Sequence, residues 1–90
     1  MVTLGEAKNY LRVGYEEDDK LIQSLLDTAK RLVMDVGRID ESGFEIHEDV
    51  TRTAVLSALG YLYENRSNPD YHWLTLSLRN ILFAVREGKF

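Results

Sequence analysis

The sequence contains no cysteine, which excludes a disulfide framework and thiolate chemistry at the outset. Proline occurs once, at Pro69, and no glycine-, serine- or proline-rich tract divides the chain. Ninety residues without a linker read as one domain, 1–90. No segment approaches the ~20 continuous apolar residues of a membrane span. The opening, Met1-Val2-Thr3-Leu4-Gly5-Glu6, has no basic stretch followed by an apolar one, so no secretory signal is expected. Together with the missing cysteine this fits the cytoplasm. Positive charge is in the minority: 11 Lys and Arg stand against 15 Asp and Glu, for a net charge of −4. That balance argues against a protein that grips nucleic acid through its phosphates, but not against one that lets DNA slide past.

What the chain does have is helical patterning. Hydrophobic residues make up 44% of the sequence, enough for a packed core, and 29% are charged. No stretch shows sustained strand alternation. A domain of this size buries a smaller fraction of its surface than larger domains do, so association is a plausible further source of stability. The expected fold is all-α, a small four-helix domain in which two longer central helices are flanked by shorter N- and C-terminal ones.

Thr3 followed by Glu6 fits a capping box for the first helix, with Leu4, Ala7 and Leu11 on one stripe and Gly14-Tyr15 marking its exit. Glu16-Glu17-Asp18-Asp19 places negative charge where the next helix dipole favours it; a divalent-metal site is the lesser reading of that cluster. The second helix is expected from Asp19 to Val36. Its residues Leu21, Ile22, Leu25, Leu26, Ala29, Leu32, Val33 and Val36 fall within about 140° of the wheel, and Gly37 is placed to end it in a left-handed conformation. Residues 38–47 read as a polar loop with Phe44 and Ile46 turned onto the core. The third helix, Glu48 to Arg66, spreads its apolar residues over roughly 240°. Such a helix is either central to the fold or meets another subunit on part of that face, and both can hold. Ser67-Asn68-Pro69-Asp70 is a turn by composition. The last helix is expected from Leu74 to Val85, with Leu74, Leu78, Ile81, Leu82 and Val85 as its main stripe. Leu76 and Phe83 lie on the opposite side, either as a second contact surface or as cover for the connecting loop. Residues 86–90 read as a polar, mobile tail.

The search for chemistry returns little. His47 and His72 have no partner at a metal-ligand spacing such as His-Glu-x-x-His, and His72 between Tyr71 and Trp73 reads as a packed aromatic corner. No glycine-rich phosphate loop exists, and Ser24, Ser42, Ser57, Ser67 and Ser77 stand in no nucleophile-elbow context. A DNA-reading helix needs Arg, Lys, Asn or Gln near its start, whereas the third helix opens with Glu48 and Asp49 and the fourth offers only Arg79 and Asn80 in its middle. No enzyme, cofactor or metal site is expected.

Several ordered segments nevertheless carry a resemblance. Thr3-Leu4-x-Glu6-Ala7-Lys8-x-Tyr10-Leu11-Arg12 is followed by an acidic loop and by Asp19-x-Leu21-Ile22-x-x-Leu25-Leu26-x-x-Ala29. Gly37-Arg38 closes that helix, and Glu48-Asp49-Val50 leads into one ending Leu62-Tyr63-Glu64-Asn65-Arg66. In this order the sequence resembles the phage gp6-like head–tail connectors over about three-quarters of the chain. Two features depart from that family: His47 stands where members often have proline, and Ile81-Leu82-Phe83-Ala84-Val85-Arg86 stands where many have a proline-containing ending. Without that proline the last helix is expected to run longer.

The resemblance implies a structural subunit of a closed ring of roughly a dozen copies, with head-to-tail contacts. Such a ring docks on the portal protein, extends the DNA channel without sequence-specific binding and meets a neck or tail-completion protein. The location implied is the virion neck, after synthesis in the host cytoplasm. The expected contact residues are Tyr63, Glu64 and Arg66, with Arg66 as an ion-pair donor, together with Leu76, Phe83, Arg86 and Phe90; the alternative for the first three is a core Tyr63 with the charged pair solvated. The other reading is a small cytoplasmic helical adaptor or regulator that binds a single protein partner.

Overall fold

The computed structural model describes residues 2–83, and the expectations that fall on Val85, Arg86, Phe90 and the tail 86–90 lie outside them. Among the described residues there are five helices and no strand: α1 (Leu4–Leu11), α2 (Asp19–Gly37), α3 (Glu41–Ile46), α4 (Glu48–Glu64) and α5 (Tyr71–Ile81).

The capping box forms as the sequence predicts. Thr3 Oγ1 accepts from the Glu6 backbone N–H at 3.1 Å, and Glu6 Oε1 accepts from the Thr3 backbone N–H at 3.0 Å. Two helices end on left-handed residues, and both are arginines: Arg12 (φ 61°) after α1 and Arg38 (φ 56°) after α2. The left-handed position expected at Gly37 therefore falls one residue later. Gly37 is instead the last, buried residue of α2.

The segment 38–47, expected as a loop, contains the extra helix. Asp40 caps α3 by accepting from the Gly43 N–H at 2.9 Å, and a Cβ on Gly43 would lie 3.2 Å from Ile39 Cβ, so the tight entry favours glycine. Phe44 anchors this helix in the core. Lys30 of α2 holds it from above, with its ammonium 3.4 Å from Glu41 Oε2 and 5.4 Å from the centre of the Phe44 ring. Thr51, the one buried polar residue described, donates its hydroxyl to the Phe44 carbonyl at 3.0 Å and so fastens α3 to α4. His47 is the hinge, ending α3 and beginning α4, and its N–H donates to the Gly43 carbonyl at 3.2 Å, a bond proline would lack. Ile46 does not turn inward: it is 73% exposed. Six residues make fewer than two turns, and the face that buries Phe44 leaves Ile46 outside.

α4 is the central helix, packed against α1, α2, α3 and α5. Its buried Ala54, Val55, Ala58, Leu59 and Leu62 meet Ile22, Leu26, Ala29 and Val33 of α2 and Leu74 and Leu78 of α5 in one core. Val50, Leu56, Tyr61 and Tyr63 are half-buried around it. The broad apolar arc of this helix is thus consumed by its neighbours within the chain. α5 starts three residues before the expected Leu74, because Asp70 accepts from the Trp73 N–H at 3.0 Å and caps it. Its last residue is Ile81, with Leu82 as a fully buried cap, and the expected end at Val85 lies outside the described residues.

Candidate interaction surface

Surface features of interest gather at the two ends of α4 and along the outer side of α5. At its C-terminal end, the Tyr63 hydroxyl donates to Asp18 Oδ2 at 2.8 Å, and Tyr15 Oη lies 3.3 Å from that carboxylate oxygen and 3.5 Å from Tyr63 Oη. Contact with the Tyr15 hydroxyl and the Asp18 carboxylate raises the Tyr63 pKa above the ordinary tyrosine value, so this phenol stays a neutral donor. Two of the four acidic residues at the start of α2 thus have partners within the chain. Asp18 receives the tyrosines, and Asp19 Oδ1 lies 2.6 Å from Lys8 Nζ. No group of three or more His, Cys, Asp or Glu side chains suited to a metal ion occurs among the described residues.

The sequence-predicted trio at this end is partly brought together. The Arg66 guanidinium folds back onto Tyr63, 4.6 Å from its ring centre, and also donates to the Tyr63 carbonyl. Glu64 is exposed. Leu76 and Phe83 are 47% and 61% exposed. Arg86 and Phe90 lie outside the described residues.

The aromatic corner is arranged differently from the expectation. His72 is exposed, and Trp73 instead stacks on Tyr61 of α4, with ring centres 4.8 Å apart and planes 28° from parallel. The Tyr61 hydroxyl accepts from the Asp70 N–H at 2.9 Å, which fixes the turn before α5. Beside this stack a groove of about 580 Å³ runs between α1, α4 and α5, with Tyr10, Gly60, Tyr61 and Trp73 among its walls. A Cβ on Gly60 would come within 3.3 Å of the Tyr10 ring, so glycine lets that ring lie close to α4.

Composition conceals the pairing of Tyr61 with Trp73 and of Tyr63 with Asp18, because each joins residues distant in sequence. The N-cap at Asp70 is legible as an Asp directly after Pro69 and ahead of the apolar-periodic segment. Exposure at Ile46 had no such signal.

α1 is held to the bundle by charge as well as by Ala7. Arg52 of α4 reaches Glu6 Oε2 at 2.6 Å, and this hydrogen bond, with the Thr3 backbone bond, lowers the Glu6 pKa from 4.5 to about 2. No helix among the described residues is long and apolar enough to cross a membrane.

A family model described as phage gp6-like head-tail connector protein matches residues 1–87. No curated protein and no solved structure matches the chain.

Proposed function

The chain belongs to the phage gp6-like head-tail connector family, and on that premise we propose that it is the repeating subunit of a ring that docks on the portal and joins the DNA-filled head to the neck or tail. Family membership makes it a structural component of the virion. The match over residues 1–87 carries the reading, since it spans the whole helical domain and not one motif.

Two structural features support the finer statement. The core is closed around α4, so the subunit can fold before it assembles, and the apolar residues left over lie on its outside at Leu76, Phe83, Trp73 and Ile46. A closed head-to-tail ring needs two different adhesive faces on each subunit, and these residues fall in two places, Ile46 at the end of α3 and the others along α5 and just past it. The net charge of −4 suits a channel through which DNA passes without being held. Tyr63, Glu64, Arg66, Leu76, Phe83, Arg86 and Phe90 are the proposed contact residues toward a second subunit, the portal, or the neck or tail-completion protein.

The test is binding of the purified chain to purified portal particles from the same genome, read by co-sedimentation. Saturable binding with several copies per portal supports the ring. A chain that ignores portal particles and forms no ring at high concentration overturns it.

A further inference from the structure

Ile46 is the most exposed large hydrophobic side chain among the described residues, at 73%. One such residue alone would mean little, because isolated surface hydrophobics are common. Its setting is what matters. Ile46 ends α3 with the exposed Glu45 beside it, and the exposed Asp49 follows in the first turn of α4. The result is an apolar knob in an acidic collar.

The outer side of α5 has the opposite character. Leu76, Arg79, Asn80 and Phe83 are all exposed and stand at positions i, i+3, i+4 and i+7. That is the four-residue hole which receives a knob when helices interdigitate. α5 itself ends at Ile81, and the Leu82 N–H still donates to the Leu78 carbonyl at 2.9 Å, so Phe83 stands just past the last turn at the end of the same stripe. The hole is apolar at both ends and has a guanidinium and an amide at its waist. α5 contains no acidic residue, and Arg79 forms no ion pair among the described residues.

From this complementarity we infer that Ile46 of one subunit seats in the Leu76–Arg79–Asn80–Phe83 hole of a second copy, with Glu45 and Asp49 facing Arg79. Because knob and hole are different surfaces, the contact is head-to-tail and leaves one of each unfilled after every addition. The contact rests on the ring reading above and names its adhesive faces.

Charge reversal tests the pairing, with assembly followed by sedimentation at high concentration and on portal particles. Glu45→Arg and Arg79→Glu each place like charges together, and each is expected to weaken self-association about tenfold or more. Glu45→Arg combined with Arg79→Glu restores opposite charges and is expected to recover most of the loss. Circular dichroism of each variant checks that the monomer is folded. Because the chain has no cysteine, a second measurement is clean. Ile46→Cys mixed with Leu76→Cys should give a crosslinked dimer only, whereas one chain carrying both should give a ladder.

If the wild type forms rings while the single reversals assemble normally, or the double reversal recovers nothing, the contact is wrong and the ring reading stands. If the reversals spare free rings but abolish portal attachment, these faces meet the portal instead, and the contact is again wrong. If the wild type forms no ring in either condition, both readings fall.

Discussion

The Tyr63 hydroxyl donates to Asp18 Oδ2 at 2.8 Å, tying the last turn of the central helix α4 to the N-cap of α2 across 45 positions of sequence. Tyr15 reaches the same carboxylate from the α1–α2 connection at 3.3 Å. One carboxylate therefore fixes three segments at this end of the bundle, beside the exposed Glu64 and Arg66. Tyr63→Phe keeps the ring that Arg66 covers but removes the donor, so the variant is expected to melt at a lower temperature than wild type. Asp18→Asn should lower stability too, and the double variant should lose less than the sum, because both changes break one interaction. Thermal melts of the four proteins check this, and strict additivity would show the two groups to be independent.

The Glu6–Arg52 pair predicts an acid limb in the stability profile. The Glu6 pKa is depressed in the folded chain, so its contribution is complete above the ordinary 4.5 and is lost as pH falls toward about 2. Both side chains are more than a third exposed, 40% for Glu6 and 37% for Arg52, so solvent screens the pair and the limb should be shallow. Denaturant unfolding across that window should show a smaller acid loss in Glu6→Gln than in wild type. Equal slopes would place the acid sensitivity elsewhere.

Thr51 fastens α3 through a single buried hydroxyl. Thr51→Val keeps the shape but leaves the Phe44 carbonyl without this donor, a loss of about 1–3 kcal/mol. Leu59→Ala, in the fully buried middle of α4, should cost more, about 2–5 kcal/mol, by opening a cavity. Urea unfolding gives both values. A Thr51→Val variant as stable as wild type would mean that α3 is held by Phe44 and Lys30 alone.

Phe83→Asp places a charge on an exposed position beyond the last turn of α5. Helical circular dichroism should therefore be unchanged while assembly is impaired. Loss of helicity would assign Phe83 to the core.

How much of this was legible in the sequence depended on the range of the interaction involved. The all-α class, the Thr3–Glu6 capping box and the α2 stripe depend on residues within a few positions of one another, and they appear as read. α3 was missed because its six residues are too few to display a period, and its stability comes from Asp40, Phe44, Lys30 and Thr51 rather than from its own pattern. The excess apolar arc of α4 was legible, but its cause was not, since a wheel does not say whether neighbours come from the same chain. They do, on four sides. Leu76 and Phe83 were readable as a second stripe because their seven-residue spacing is local. Hydropathy alone places Ile46 in the core, and it lies outside because α3 has only one inward face.

The central claim is that this chain forms a connector ring on the portal, and electron microscopy of portal particles incubated with the purified protein tests it most directly. The account predicts an added ring of density at the portal, built from repeated copies of the helical domain with a channel through its centre. Portal particles unchanged at saturating protein, or carrying only a single bound copy, would contradict it.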